Sequence, residues 1–195
     1  GYDVWEIPPN GHGIVVLMAL NILEGMDLSA GHDDPETAHK IMEALKLAFT
    51  DGKRYVADPR AMKPTVEQLL SRDYAAKRRA LIGSTALEPK PGTPYCGDTV
   101  YLNAADGDGN MISYIQSIYC GFGSGTVLPG TGIVFHNRGN NFTMDETMEN
   151  FVAPGKKPYH TIIPGFLSKD GKAVGPFGVM GGFMQPQGHV QVLTN

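Results

Sequence analysis

Between residues 83 and 98 the chain carries Gly83, Pro89, Pro91, Gly92, Pro94 and Gly97. Proline fixes φ and removes a backbone donor, and glycine adds conformational freedom, so no regular element is expected to run through such a stretch. The chain must therefore fold from two differently patterned parts that meet across a loop ending at Asp98-Thr99.

The part before the loop reads as helical. After Pro8-Pro9 and Asn10-Gly11, residues 14–23 are almost continuously apolar and stop near Gly25, which predicts a helix buried on most sides. Asp34 before Pro35 predicts the start of a second helix, whose Ala38, Ile41, Met42, Leu45 and Ala48 keep helical spacing. Residues 65–70 and 73–81 predict two short helices, with Lys77-Arg78-Arg79 and the charges up to Lys90 on a solvated face. Trp5 and Phe49 are expected in the core.

The part after the loop reads as strands. Residues 99–104 and 111–118 flank Asp106-Gly107-Asp108-Gly109-Asn110, a hairpin turn signal. Residues 133–135, 162–167 and 174–180 are further predicted strands, with a turn at Lys169-Asp170-Gly171-Lys172. Residues 187–193 predict a helix after Pro186. Helices followed by strands point to an α+β fold.

The 195 residues are long enough for a sizeable core, and 42% hydrophobic with 18% charged residues indicates a globular chain. A formal net charge of −4 argues against a nucleic-acid partner held by a basic surface. No apolar run approaches the roughly 20 residues of a membrane span. Glycine is in surplus: 25 residues, 16 of them from residue 99 onward, where average usage gives roughly 14 in all. The start at Gly1, without a methionine or leader pattern, suggests a fragment or a processed product.

Cys96 and Cys120 are too few for a disulfide scaffold or a four-thiolate metal site, which leaves two thiols or one disulfide. No phosphate loop, dinucleotide fingerprint, G-x-S-x-G elbow or H-E-x-x-H pattern is present. His32 and His39 straddle a predicted helix start and read as surface histidines, so neither a metal nor a cofactor is expected. Met180, Met184 and Cys120 read as lining or filling residues.

The junction itself admits two readings: Thr99 after Gly-Asp is an ordinary strand residue and Gly181-Gly182 a turn, or the two carry chemistry. A threonine hydroxyl becomes a competent nucleophile when it heads a chain, because its own α-amino group, with a pKa of about 7.7–8.0, can serve as base. A cut at Asp98-Thr99 would produce that arrangement. Acyl transfer also needs two backbone donors for an oxyanion, and Gly181-Gly182, after a predicted strand, presents such donors unobstructed.

Over nearly its whole length the chain resembles the γ-glutamyltranspeptidases and their acylase-like relatives, members of the N-terminal nucleophile hydrolases. The resemblance rests on Ile7-Pro8-Pro9, on Ala48-Phe49 with Asp51, Arg54-Tyr55 and Asp58-Pro59, and on Gly97-Asp98-Thr99 at the processing junction. It continues through the D-x-x-G-N hairpin at residues 106–110, Phe122-Gly123-Ser124-Gly125, residues 132–142, Lys157-Pro158 with Pro164, and Gly181-Gly182.

The resemblance implies part of an αββα four-layer sandwich. Residues 1–98 correspond to the end of a large-subunit region, and residues 99–195 to an incomplete small-subunit region. It implies self-cleavage at Asp98-Thr99, with Thr99 as nucleophile, Ser117 as the hydroxyl beside it, and the N–H groups of Gly181 and Gly182 as oxyanion donors. The implied partners are a small-molecule amide, glutathione-like or glutaryl-type, and the remainder of the large subunit.

Substrate-holding positions depart from the family pattern. Tyr119 stands where a well-studied branch has Asn, Arg138 where it has Gln, Asn141 where it has Asp, and His160-Thr161 where it has Ser-Ser. Loss of the aspartate removes the partner for a donor ammonium, whereas Arg138 favours a carboxylate. Residues 142–157 are shorter than in members with a lid, which favours an open site and hydrolysis over transpeptidation. The competing expectation, from another class, is an uncleaved relative that serves as a binding or structural module.

Overall fold

The computed structural model describes residues 1–31, 33–88 and 98–195. The expectations resting on His32, Cys96, Lys90 and the loop residues Pro89, Pro91, Gly92, Pro94 and Gly97 lie outside the described residues. In chain order the elements are β1 (Asp3–Trp5), α1 (Gly13–Leu23), α2 (Pro35–Tyr55), α3 (Val66–Leu69), α4 (Arg72–Arg79), β2 (Asp98–Ala105), β3 (Met111–Tyr119), β4 (Gly165–Lys169), β5 (Lys172–Phe177) and α5 (Gln185–Thr194). Helix and sheet are mixed, as an α+β chain requires.

α1 is apolar on every side because it lies at the centre. Ile14, Val15, Val16, Met18, Ala19, Ile22 and Leu23 are all buried, and α2, α4 and α5 pack around them. α2 starts where Asp34 accepts a hydrogen bond from the Thr37 N–H at 2.8 Å, followed by Pro35 in the first turn. It meets α1 closely at Gly52, where a Cβ would fall 2.5 Å from Val15 Cγ2. α3 opens with a capping box between Thr65 and Gln68, and α4 with a Ser71 cap.

Several expectations are corrected. Arg78 and Arg79 are not a solvated face. Arg78 pairs with Asp51 at 2.9 Å, and Arg79 donates to the Asn21 and Ile22 carbonyls at 2.9 and 2.6 Å. Those carbonyls belong to the last turn of α1, which has no basic residue of its own to meet its unpaired C=O groups. Trp5 is 61% exposed, its indole N–H donating to Ser168 Oγ at 3.0 Å, and Phe49 is only partly buried against the core. Residues 133–135 form no strand; Val134 makes one isolated bridge to Val127.

The sequence carries no signal for β1 (Asp3–Trp5). A three-residue strand is below the length at which a period-2 pattern is legible. It pairs antiparallel with β4, which pairs with β5, so the first residues of the chain complete a sheet built near its end. β2 and β3 form a separate antiparallel hairpin in which Thr99 lies opposite Ser117 and Tyr101 opposite Ile115. The face bearing Thr99, Tyr101, Ser113 and Ser117 is partly buried, while Val100, Leu102, Ile112 and Tyr114 stand exposed on the other.

Contacts between residues before and after Thr99 are numerous. His12 N–H donates to the His160 carbonyl at 2.9 Å, and His12 Nδ1 lies 3.1 Å from the Tyr159 hydroxyl. Lys157 N–H donates to Asp58 Oδ2 at 3.1 Å, and Arg54 pairs with the buried Glu149.

Candidate active site

Thr99 is the second residue of β2. The ladder slips between Asp98 and Thr99: Asp98 lies opposite Tyr119, and Thr99 opposite Ser117. A bulge of this kind bends the strand and re-aims the side chain beside it. From this position the Thr99 hydroxyl donates to Ser117 Oγ at 3.1 Å, and the Tyr119 N–H donates to the same oxygen at 3.0 Å.

Tyr119 is buried and has φ of +81°, a left-handed conformation rarely adopted by a bulky residue. Two contacts hold it there. Its hydroxyl donates to Asn141 Oδ1 at 2.8 Å, and the Arg138 guanidinium lies 4.9 Å from its ring centre. Arg138 and Asn141 come from one 3-10 turn, Arg138–Asn141, which places both side chains on Tyr119. Asn141 also donates to the Tyr159 carbonyl at 2.8 Å.

Arg138 is 1% exposed. Nη1 donates to the buried Thr161 hydroxyl at 2.5 Å, while Nε and Nη2 have no hydrogen-bond partner among the described residues. Among the described residues no carboxylate lies within ion-pair distance of it. Burial lowers its pKa to about 10, against opposing effects of Tyr119 and Cys120, so the guanidinium stays charged at neutral pH. The His160 and His12 imidazoles do not. Burial, with the Arg138 and His136 charges, lowers His160 to about 3. Burial dominates at His12 as well, also lowering it to about 3. At neutral pH Arg138 is thus a buried cation near two neutral imidazoles, His12 and His160.

Gly181 and Gly182 follow β5. Their φ values of +132° and +60° suit glycine, and Gly182 opens a 3-10 turn, Gly182–Met184, that runs directly into α5. This loop rests on the hairpin: a Cβ on Gly178 would fall 2.4 Å from the Tyr101 ring. Tyr101 lies two residues from Thr99 on the same face of β2, and its hydroxyl is 3.0 Å from Ser113 Oγ. Met184 folds back over Gly181, its methyl 2.8 Å from where a Cβ would sit, and is 45% exposed, so it lines the turn.

Contacts therefore connect Thr99, Ser117, Tyr119, Asn141, Arg138 and Thr161 in one continuous series. His160 joins through the field of Arg138, and Gly181 and Gly182 join through Gly178 and Tyr101. The sequence does not single out His12, Tyr159 or Tyr101. Of these, Tyr101 carries a signal, its i+2 spacing from Thr99 on a predicted strand.

A family model described as gamma-glutamyltranspeptidase matches residues 1–195. The chain belongs to the γ-glutamyltranspeptidase family. Among curated members it is 38% identical over 195 residues to the glutathione hydrolase-like YwrD proenzyme of Bacillus subtilis, covering 100% of this chain and 37% of that protein. It is 38% identical over 191 residues to the oxamate amidohydrolase proenzyme of Klebsiella pneumoniae, covering 98% and 36%. The crystal structure of a cephalosporin acylase from Bacillus halodurans matches it with a TM-score of 0.92 and 60% identity, covering 100% of this chain and 35% of that one. The chain thus spans little more than a third of these relatives. Among the described residues of this family member, no three His, Cys, Asp or Glu side chains are grouped to hold a metal ion. No described helix is long and apolar enough to cross a membrane.

Proposed function

We propose that the protein carrying this chain is an amidohydrolase or acyltransferase that uses Thr99 as nucleophile after self-cleavage at Asp98-Thr99. The observation that carries this reading is the 3.1 Å hydrogen bond from the Thr99 hydroxyl to Ser117 Oγ, at the point where the β2–β3 ladder slips. The proenzyme names of the curated relatives agree with it.

In the precursor, Thr99 Oγ attacks the Asp98 carbonyl carbon, the C–N bond breaks, and an ester forms that water hydrolyses. The freed α-amino group then accepts the hydroxyl proton when Thr99 attacks a substrate amide. The Gly181 and Gly182 N–H groups stabilise the tetrahedral oxyanion, and Ser117 orients the nucleophile. The acyl-enzyme is released by water or by an acceptor amine. In this reading residues 1–98 close a large subunit, residues 99–195 open a small one, and both form part of an αββα four-layer sandwich.

The acyl group we assign is a carboxylated one, glutaryl-type before γ-glutamyl. Arg138 is a buried cation with two unpartnered donors, suited to a carboxylate. The Asn141 oxygen that could meet a donor ammonium already accepts from Tyr119. Tyr119, His160 and Thr161 complete the binding side.

Mass spectrometry of the full-length protein tests the nucleophile. A new N-terminus at Thr99 is expected, and a Thr99→Ala variant stays whole and inactive. A Thr99→Ala protein that still splits there removes the assignment; a wild-type protein that stays whole and hydrolyses no anilide is the uncleaved module.

A further inference from the structure

Two buried ionisable groups have no part in the chemistry above. The side chains of Glu6 and His189, 183 positions apart, are both buried, with Oε1 and Nδ1 2.5 Å apart. Burial raises the Glu6 pKa, and His189 works in the opposite direction by hydrogen bond and charge. A buried pair of this kind adds little net stability over an apolar pair of the same shape, and its attested use is to fix one arrangement among several.

The arrangement it fixes surrounds the Gly181-Gly182 turn. His189 lies in the second turn of α5, the helix that leaves this turn, and its ring centre is 4.9 Å from that of Phe177, the last residue of the strand that enters it. Its neighbour Gly188 lets α5 press on the loop, since a Cβ there would fall 2.6 Å from Val179 Cγ2.

Glu6 is anchored on the other side. It follows β1, which is paired to β4, and the first turn of α1 closes over it: a Cβ on Gly13 would fall 2.8 Å from Glu6 Cβ and 3.0 Å from Oε2. A carboxylate there also faces the positive end of the α1 dipole, where the helix has no acidic residue of its own.

We propose that Glu6 and His189 are positioning residues for the oxyanion donors. They lock α5 to the β1 segment and α1, and thereby hold Gly181 and Gly182 in place before the reaction. The proposal rests on Thr99 being the nucleophile. Donors of this kind act only at about 2.7–3.1 Å from the developing oxyanion, and a displacement of about 1 Å costs on the order of a hundredfold in rate. Substrate binding through Arg138 lies on other elements and should be spared.

The test uses the full-length protein with Glu6→Gln, His189→Gln and the double variant. It measures the cut at Thr99, kcat and KM for glutaryl-p-nitroanilide, and inhibition by a boronic acid with a carboxypropyl chain, which forms a tetrahedral adduct on Thr99. The expected result is cut, folded protein with KM within about twofold of wild type and kcat and boronate affinity both lower by roughly tenfold to a hundredfold. The double variant should lose no more than the worse single one, because the pair acts as a unit. Folded variants with unchanged kcat, or with a raised KM alone, would overturn the proposal and leave Thr99 standing. Unfolding of all three would assign the pair to folding and overturn it too. A wild-type protein with no cut and no activity would remove both readings.

Discussion

Thr99 and Ser117 face each other in register across the β2–β3 hairpin, and the Thr99 hydroxyl donates to Ser117 Oγ. The Ser117 oxygen also receives the Tyr119 N–H, so its position is fixed from the backbone. Ser117→Ala removes the acceptor of the hydroxyl proposed as nucleophile. The expected outcome is a fall in kcat of about tenfold to a hundredfold with KM little changed, while Ser117→Thr keeps most of the rate. Steady-state kinetics on a chromogenic anilide decides it, and equal rates for Ser117→Ala and wild type would refute the orienting role.

Arg138 is the only cation placed on Tyr119 and Thr161 among the described residues, and it has two donors to spare. Arg138→Gln should lower kcat/KM for a glutaryl anilide by about tenfold to a hundredfold, the worth of hydrogen bonds to a charged group, and leave a butyryl anilide unaffected. A variant that loses both substrates equally would show that Arg138 shapes the site rather than reads a carboxylate.

Acid sensitivity follows from His12 and His160. Each has a folded pKa lowered to about 3, well below the ordinary imidazole value of 6.5. The unfolded chain therefore binds these protons first. The stability the neutral imidazoles contribute is complete above pH 6.5 and is lost progressively as pH falls towards 3, by up to about 1.4 kcal/mol per pH unit for each group. Thermal midpoints measured between pH 7.5 and about 4.5 should fall steeply. His12→Asn, which keeps a polar group beside Tyr159, should flatten that fall; an unchanged slope would remove His12 as a cause.

Gly178 carries the loop of Gly181 and Gly182 against Tyr101. Gly178→Ala forces a methyl group into the ring and should cost about 1–3 kcal/mol of stability together with much of the activity. Tyr101→Leu in the same protein makes room and should restore part of the stability. Denaturant unfolding of the single and double variants tests the contact, and a neutral Gly178→Ala would contradict it.

Much of this architecture is legible in the sequence where local rules dominate. Asp34-Pro35, the capping box of Thr65 and Gln68, and the Asp106–Asn110 turn each satisfy nearby backbone groups, so a short window suffices to read them. Long-range partners are different. Arg78 and Arg79 look like any basic helix end until Asp51 and the end of α1 are brought beside them. Trp5 looks like core, yet its strand lies at the edge of a sheet with one face open. At the candidate site, Thr99, Ser117, Gly181 and Gly182 are singled out by the resemblance to the family, since residue type alone also fits an ordinary strand residue and a turn. That Tyr119 is held by Arg138 and Asn141 depends on a 3-10 turn some twenty residues away, and Glu6 opposite His189 depends on the whole fold.

The contacts that span position 99 have a mechanical consequence. His12 with Tyr159, Asp58 with Lys157, Arg54 with Glu149, Glu6 with His189 and the β1–β4 pairing all join the chain on one side of Thr99 to the chain on the other. The peptide link before Thr99 is one tether among many, and severing it removes only the effective-concentration advantage of a covalent connection. A molecule nicked there would still be held by these contacts on both sides. The cut proposed at that link, which would free the Thr99 amine, would therefore leave these joining contacts in place.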